Sequence, residues 1–172
     1  MKHGATQVPC LVLLTSLGMG CIPASASPIR LNEVMPSNND NCRDEAGEHD
    51  DWVELYNTSD ARVDLSGYSL TDDTSLPRQS VIPEGVTIQA RSPLLFWADG
   101  TPAQGKTHLS FRLKEAREEI VLYDADVREV DLFRWTGAQA NVSYARVPDG
   151  VGVWRLCANP SCGQDNTSAC EN

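Results

Sequence analysis

Turn-forming residues recur along this chain so closely that little room is left for anything but short strands. Ser-Gly, Asp-Gly, Pro-Asp-Gly and Asn/Asp clusters stand about eight to fifteen residues apart after Pro28. Between them lie IRLNEVM (29–35), WVELYN (52–57), VDL (63–65), GYSLTD (67–72), VTIQ (86–89), PLLFWAD (93–99), LSFRL (109–113), EIVLYDA (119–125), EVDLFRW (129–135), VSYARV (142–147) and VWRL (153–156). Within WVELYN, Val53 and Leu55 point one way while Trp52, Glu54 and Tyr56 point the other, the period-two pattern of a strand. No stretch carries an apolar stripe at helical spacing. Residues 114–119 hold good helix formers without such a stripe and read as a turn.

The pattern predicts an all-β chain, an antiparallel sandwich of about nine short strands in one domain. Expected inward positions are Leu31, Val53, Leu55, Leu70, Ile88, Leu95, Trp97, Phe111, Leu113, Val121, Tyr123 and Leu132.

The amino end reads as an export signal. Met1-Lys2-His3 precedes an apolar centre too short to span a bilayer, and Ala24-Ser25-Ala26 supplies a small-x-small site, so cleavage after Ala26 leaves residues 27–172 as the mature domain. A second reading stays open: Leu17-Gly18-Met19-Gly20-Cys21 resembles a degenerate lipoprotein box, with residues 1–20 removed and Cys21 lipidated. Both readings predict an exported protein: secreted, periplasmic, or an outer-membrane lipoprotein. Beyond Ala26 no apolar run reaches transmembrane length.

Four cysteines lie outside the signal: Cys42, Cys157, Cys162 and Cys170. An even number in an exported chain predicts two disulfides, for which the sequence allows three pairings. The expected arrangement joins Cys42 to one tail cysteine and closes a second bridge inside the tail. A four-cysteine zinc site lacks the paired short spacings it would need.

The 172 residues hold 24 acids against 14 Lys and Arg, for a formal charge of -10. No run supplies the concentrated positive surface that phosphates need, so nucleic acid is not an expected partner. Asp40, Asp44, Glu45, Glu48, Asp50, Asp51 and Glu54 fall within fifteen residues. A hard divalent cation would relieve their mutual repulsion, and calcium held by Glu33, Asp50, Asp51 and Glu54 is the expected set. The competing reading is a solvated acidic loop held by Cys42. The spacing does not fit the twelve-residue helix-loop-helix calcium motif.

No catalytic residues are expected. His49 and His108 lack metal-protease spacing, Ser66 and Ser143 lack a nucleophile elbow, and the glycines sit in turns rather than phosphate cradles. Trp52, Tyr68, Trp97, Trp135, Tyr144 and Trp154 could line an aromatic binding strip for sugars, although strand aromatics more often pack a core.

The order Asn-Glu-Val, Trp-x-Glu-Leu-Tyr-Asn, Asp-Leu-Ser-Gly-Tyr-x-Leu and Tyr-x-Arg-x-Pro-Asp-Gly, across about 28–156, resembles the lamin tail domain family in its bacterial exported branch. The resemblance implies an immunoglobulin-like sandwich and no enzyme. Members occur as accessory modules beside exported hydrolases, as cell-surface repeats and in nuclear filaments, so the fold leaves function open. The expected role is a non-catalytic envelope or surface module that binds a protein or surface partner. A carbohydrate-binding accessory role and a metal-dependent hydrolase on the acidic rim are the alternatives. The chain departs from the family pattern at Arg117, at the hairpin Asp124-Ala125-Asp126-Val127 that lacks the usual Asp-Gly, and in the cysteine-bearing loop and tail.

Overall fold

The computed structural model describes residues 27–170. The signal segment and Cys21 lie outside the described residues, as do the last two residues of the predicted domain. Among the described residues are eleven strands and one short helix: β1 (Ile29–Met35), β2 (Trp52–Asn57), β3 (Val63–Asp64), β4 (Ser69–Thr71), β5 (Ser80–Val81), β6 (Thr87–Ile88), β7 (Pro93–Trp97), β8 (Arg117–Tyr123), β9 (Glu129–Thr136), β10 (Ser143–Val147), β11 (Val153–Cys157) and α1 (Asn166–Cys170).

These strands pair antiparallel in three sheets. One has five strands in the order β11-β10-β1-β2-β7, one has four in the order β5-β4-β8-β9, and β3 pairs with β6. The larger sheets and β6 feed one apolar cluster, with Ile29, Leu31, Val34, Val53, Leu55 and Phe96 from the first, Leu70, Ile120, Leu122 and Trp135 from the second, and Ile88 from β6. Arg146 on β10 ties the two large sheets across this core. Its guanidinium pairs with Asp131 on β9 at 3.1 Å and donates to the Leu31 carbonyl at 2.9 Å.

Three expectations need correction. On β7 and β8 the main cluster takes Phe96, Ile120 and Leu122, with Leu94 packed against it, rather than Leu95, Trp97, Val121 and Tyr123. Val121 and Tyr123 are buried all the same, and Trp97 joins Met35 and Trp52 in a second cluster with Leu95 packed against it. Both strand sequences are apolar on both faces, so alternation could not choose between them. Next, residues 109–113 form no strand. They follow β7 through isolated bridges, Trp97 to His108 and Asp99 to Arg112, and still bury Leu109, Phe111 and Leu113. Finally, the tail contains α1, a five-residue helix too short to carry an apolar stripe.

Both expected disulfides form. Cys42 joins Cys162 across 120 residues and Cys157 joins Cys170 across 13. The first bridge ties the acidic loop to the tail. The second ties α1 to β11. Together they hold the tail against the five-stranded sheet, on the face that carries Glu33 and Glu54.

Candidate functional site

Two chemistry-bearing regions stand out, one under the tail and one at the rim. Under the tail, Glu33 of β1 sits directly opposite Glu54 of β2, and neither is exposed. The register shifts between Leu31 and Glu33, so Asn32 is the extra residue of a bulge and its amide is turned into the site. Asn32 Nδ2 donates to Glu54 Oε1 and to Asp149 Oδ1, both at 2.7 Å, and its Oδ1 accepts the Gly150 N–H at 2.7 Å. Gly150 has φ 67°, and a Cβ there would collide with Tyr56 and Thr58, so the Pro-Asp-Gly turn needs glycine to reach Asn32.

Glu33 is well supplied with donors. The Ser143 and Ser161 hydroxyls each donate to one of its oxygens, and the Ser161 N–H lies 3.2 and 3.3 Å from the pair. Glu54 is not, because its Oε2 is buried without a hydrogen bond. Burial raises the pKa of Glu33 against the pull of the two serines. Burial also pushes Glu54 well above the usual carboxylate range, and repulsion from Glu33 adds to it. Asn166 of α1 closes the site, with Nδ2 donating to the Asn32 and Arg146 carbonyls. A carboxylate pair sealed in this way offers no cleft to a substrate.

The rim is built differently. A tight turn, with Asp44 N–H donating to the Glu48 carbonyl at 3.0 Å and Gly47 N–H to the Asp44 carbonyl at 3.1 Å, fixes Asp44 and Glu45 two and three residues beyond the disulfide at Cys42. Opposite stands His108, whose Nδ1 meets Asp99 Oδ2 at 2.9 Å, with both side chains almost fully buried. Its Nε2 faces Glu45 Oε2 at 3.4 Å. Burial disfavours the imidazolium of His108, but the hydrogen bonds to Asp99 and Glu45 outweigh it and the pKa is raised. Asp44, Glu45 and His108 bring ligand atoms within 4.8 Å of one another, as do Asp44, Glu48 and Asp50.

The four residues expected to hold calcium are therefore split. Glu33 and Glu54 face each other beneath the tail. Asp50 lies at the rim, where burial and the neighbouring Asp99, Asp44 and Glu48 raise its pKa. Asp51 accepts the Asn38 N–H at 2.9 Å and is pushed up to about 6, chiefly by burial. No three of the four meet as a ligand group among the described residues. Sequence reasoning passed over Asn32, Asp99 and Asp149 and set His108 aside. Asn32 meets Asp149 across 117 residues and His108 meets Glu45 across 63, and no local spacing signals either.

The expected aromatic strip is mostly core. Trp52, Trp97 and Trp135 are buried, while Trp154 stacks on Phe133 at 3.9 Å and carries the Arg146 guanidinium 4.7 Å from its ring centre. Phe133, Tyr144, Trp154 and Leu156 line a shallow groove of about 340 Å³ between β9 and β11.

Residues 22–137 match the Lamin Tail Domain family, more than half of the chain. The chain belongs to the lamin tail domain family. No curated protein matches it. The lamin tail domain match ends before β10, β11 and the tail, so the strand that carries Ser143 and the segment that seals Glu33 lie past the matched region. Among the described residues no helix is long and apolar enough to cross a membrane.

Proposed function

We propose that this lamin tail domain is a non-catalytic exported module, an immunoglobulin-like sandwich of the bacterial exported branch, that binds a protein partner along its β11 edge. The observation that carries the reading is the free edge of the five-stranded sheet. β11 is its terminal strand among the described residues, and it exposes Leu156 at 55% in the groove lined by Phe133 and Tyr144 and Val153 at 66% on its other face. An unpaired edge next to an apolar groove suits an extended segment of another protein, whose backbone extends the ladder while side chains enter the groove. A sugar is less well served, because the Trp154 ring is already engaged by Phe133 and by the Arg146 guanidinium. Two disulfides support an oxidising compartment, and the signal-like amino end supports export, with cleavage after Ala26 or lipidation at Cys21 as its two forms.

The test is affinity capture from the native envelope with wild type and with Val153→Lys and Leu156→Lys, alongside a glycan array. One partner held by wild type and lost by both variants supports edge binding. Equal retention by the variants, or retention of glycans in place of protein, refutes it. Mass spectrometry of the mature amino terminus separates the two export forms.

A further inference from the structure

The structure assigns a second site to the rim: we propose that Asp44, Glu45 and His108 bind a divalent transition-type cation, zinc foremost, with Asp99 orienting the imidazole. This is not the calcium set expected from the acidic loop, since it draws on a histidine 63 residues from Glu45 and uses neither Glu33 nor Glu54.

Four observations carry it. Asp99 Oδ2 accepts a hydrogen bond from the His108 Nδ1–H inside the protein, which leaves Nε2 aimed at the rim. A carboxylate behind a metal-bound imidazole is the arrangement that raises its basicity and holds its plane. Second, Nε2 and Glu45 Oε2 stand 3.4 Å apart. That is long for a charge-assisted N–H···O bond, usually about 2.7–2.9 Å. It matches the ~3.3 Å edge of a tetrahedron whose metal–ligand bonds are about 2.0–2.1 Å. Third, the Asp44 side chain is over nine-tenths buried, and its Oδ2 has no hydrogen-bond partner although it belongs to the cluster that converges with His108. A buried carboxylate oxygen without a donor is costly, and a cation supplies what no N–H there does. Fourth, Glu45 is 79% exposed, so one side stays open for the ion to enter and for water to complete the coordination.

The donor set selects the metal. Calcium takes six to eight oxygens and has little use for an imidazole nitrogen. One nitrogen with two carboxylates suits zinc or its neighbours. The Asp44 turn is tethered by Cys42–Cys162, so two of the ligands are held in place before the ion arrives.

The experiment is calorimetric titration of oxidised, tag-free protein, its free thiols alkylated, with ZnCl2 and separately with CaCl2. Cobalt(II) absorption is read in parallel. Wild type should bind one zinc at least tenfold more tightly than calcium, and cobalt should give a visible band of a low-symmetry nitrogen-containing site. Asp44→Asn, Glu45→Gln and His108→Gln should each weaken zinc at least tenfold, and Asp99→Asn roughly tenfold to a hundredfold. Glu45 is exposed, so Glu45→Gln keeps the test valid if the buried variants fail to fold. Asp126→Asn and His49→Gln should leave binding unchanged. No zinc binding at 100 µM, affinity unchanged in Glu45→Gln, or calcium bound as tightly as zinc would each overturn the assignment.

Discussion

Replacing Glu54 with glutamine isolates the cost of keeping two facing carboxyls dry. In the fold Glu54 is fully buried opposite Glu33, and both have raised pKa values. In the unfolded chain each ionises near 4.5, the ordinary value for a glutamate. The folded state therefore keeps protons that the unfolded chain has released. Stability from this source is complete below pH 4.5 and drains away as pH rises through the folded values. One retained proton gives a slope of ~1.4 kcal/mol per pH unit, or up to ~2 kcal/mol between pH 5.5 and 7.0. Glutamine keeps the oxygen that accepts from Asn32 Nδ2 at 2.7 Å and removes the ionisable group. Urea unfolding of wild type and Glu54→Gln at pH 5.5, 6.0, 6.5 and 7.0 reads the difference directly. The variant should gain on wild type as pH rises, by up to about 2 kcal/mol over the range. Asp51 and Glu118 are also raised, but they are common to both proteins and cancel in the difference, whereas Asp149 shares Asn32 with Glu54 and its response is part of what the substitution reads. Curves that stay parallel would refute the claim that burial holds the Glu54 pKa well above its ordinary value in the folded state.

The remaining predictions concern what holds the sealed face and the core in place. Removing the Cys42–Cys162 bridge by Cys42→Ser with Cys162→Ser opens a loop of 120 residues. It should cost about 3–5 kcal/mol by chemical denaturation, and it should flatten the wild-type pH slope because water then reaches Glu33 and Glu54. Arg146→Ala leaves Asp131 half-buried without its partner and removes the donor to the Leu31 carbonyl, so it should cost about 2–3 kcal/mol in urea. Val127 adopts φ 62° at the hairpin where the family pattern has Asp-Gly. A β-branched residue is strained there, so Val127→Gly should stabilise by about 1 kcal/mol, and a loss of stability would contradict that reading.

How much of this could be read from the chain follows from how many sequence-distant partners each feature needs. β1, β2, β9 and β10 were legible because local alternation and flanking turns define them, and even-numbered cysteines announced two bridges without their pairing. The inward faces of β7 and β8 were not. On β7 the outer face packs Trp97 and Leu95 with Met35, Trp52 and Cys42, on β8 Val121 and Tyr123 are buried as well, and a strand buried on both faces carries no alternation. Glu33 and Glu54 were expected as calcium ligands with Asp50 and Asp51, and the structure sets the first two beneath the tail and the other two elsewhere. Acid density in sequence says that charges are close along the chain. It does not say which share a cavity.

The tail therefore changes what kind of surface the five-stranded sheet presents. A lamin tail domain without it would leave Asn32, Glu33, Glu54 and Ser143 on a wet sheet face, where ionised glutamates cost little and their mutual repulsion is screened. Laid down by two disulfides, the segment from Ser161 to Asn166 supplies hydroxyl, amide and carboxamide donors to that face while excluding water. Those donors fall unevenly: Glu33 receives two serine hydroxyls, and Glu54, which receives Asn32, is the one that burial pushes well above the usual carboxylate range. The face loses a wide polar surface on which a ligand could settle, and the exposed apolar residues of β11 are left as the sheet's accessible edge.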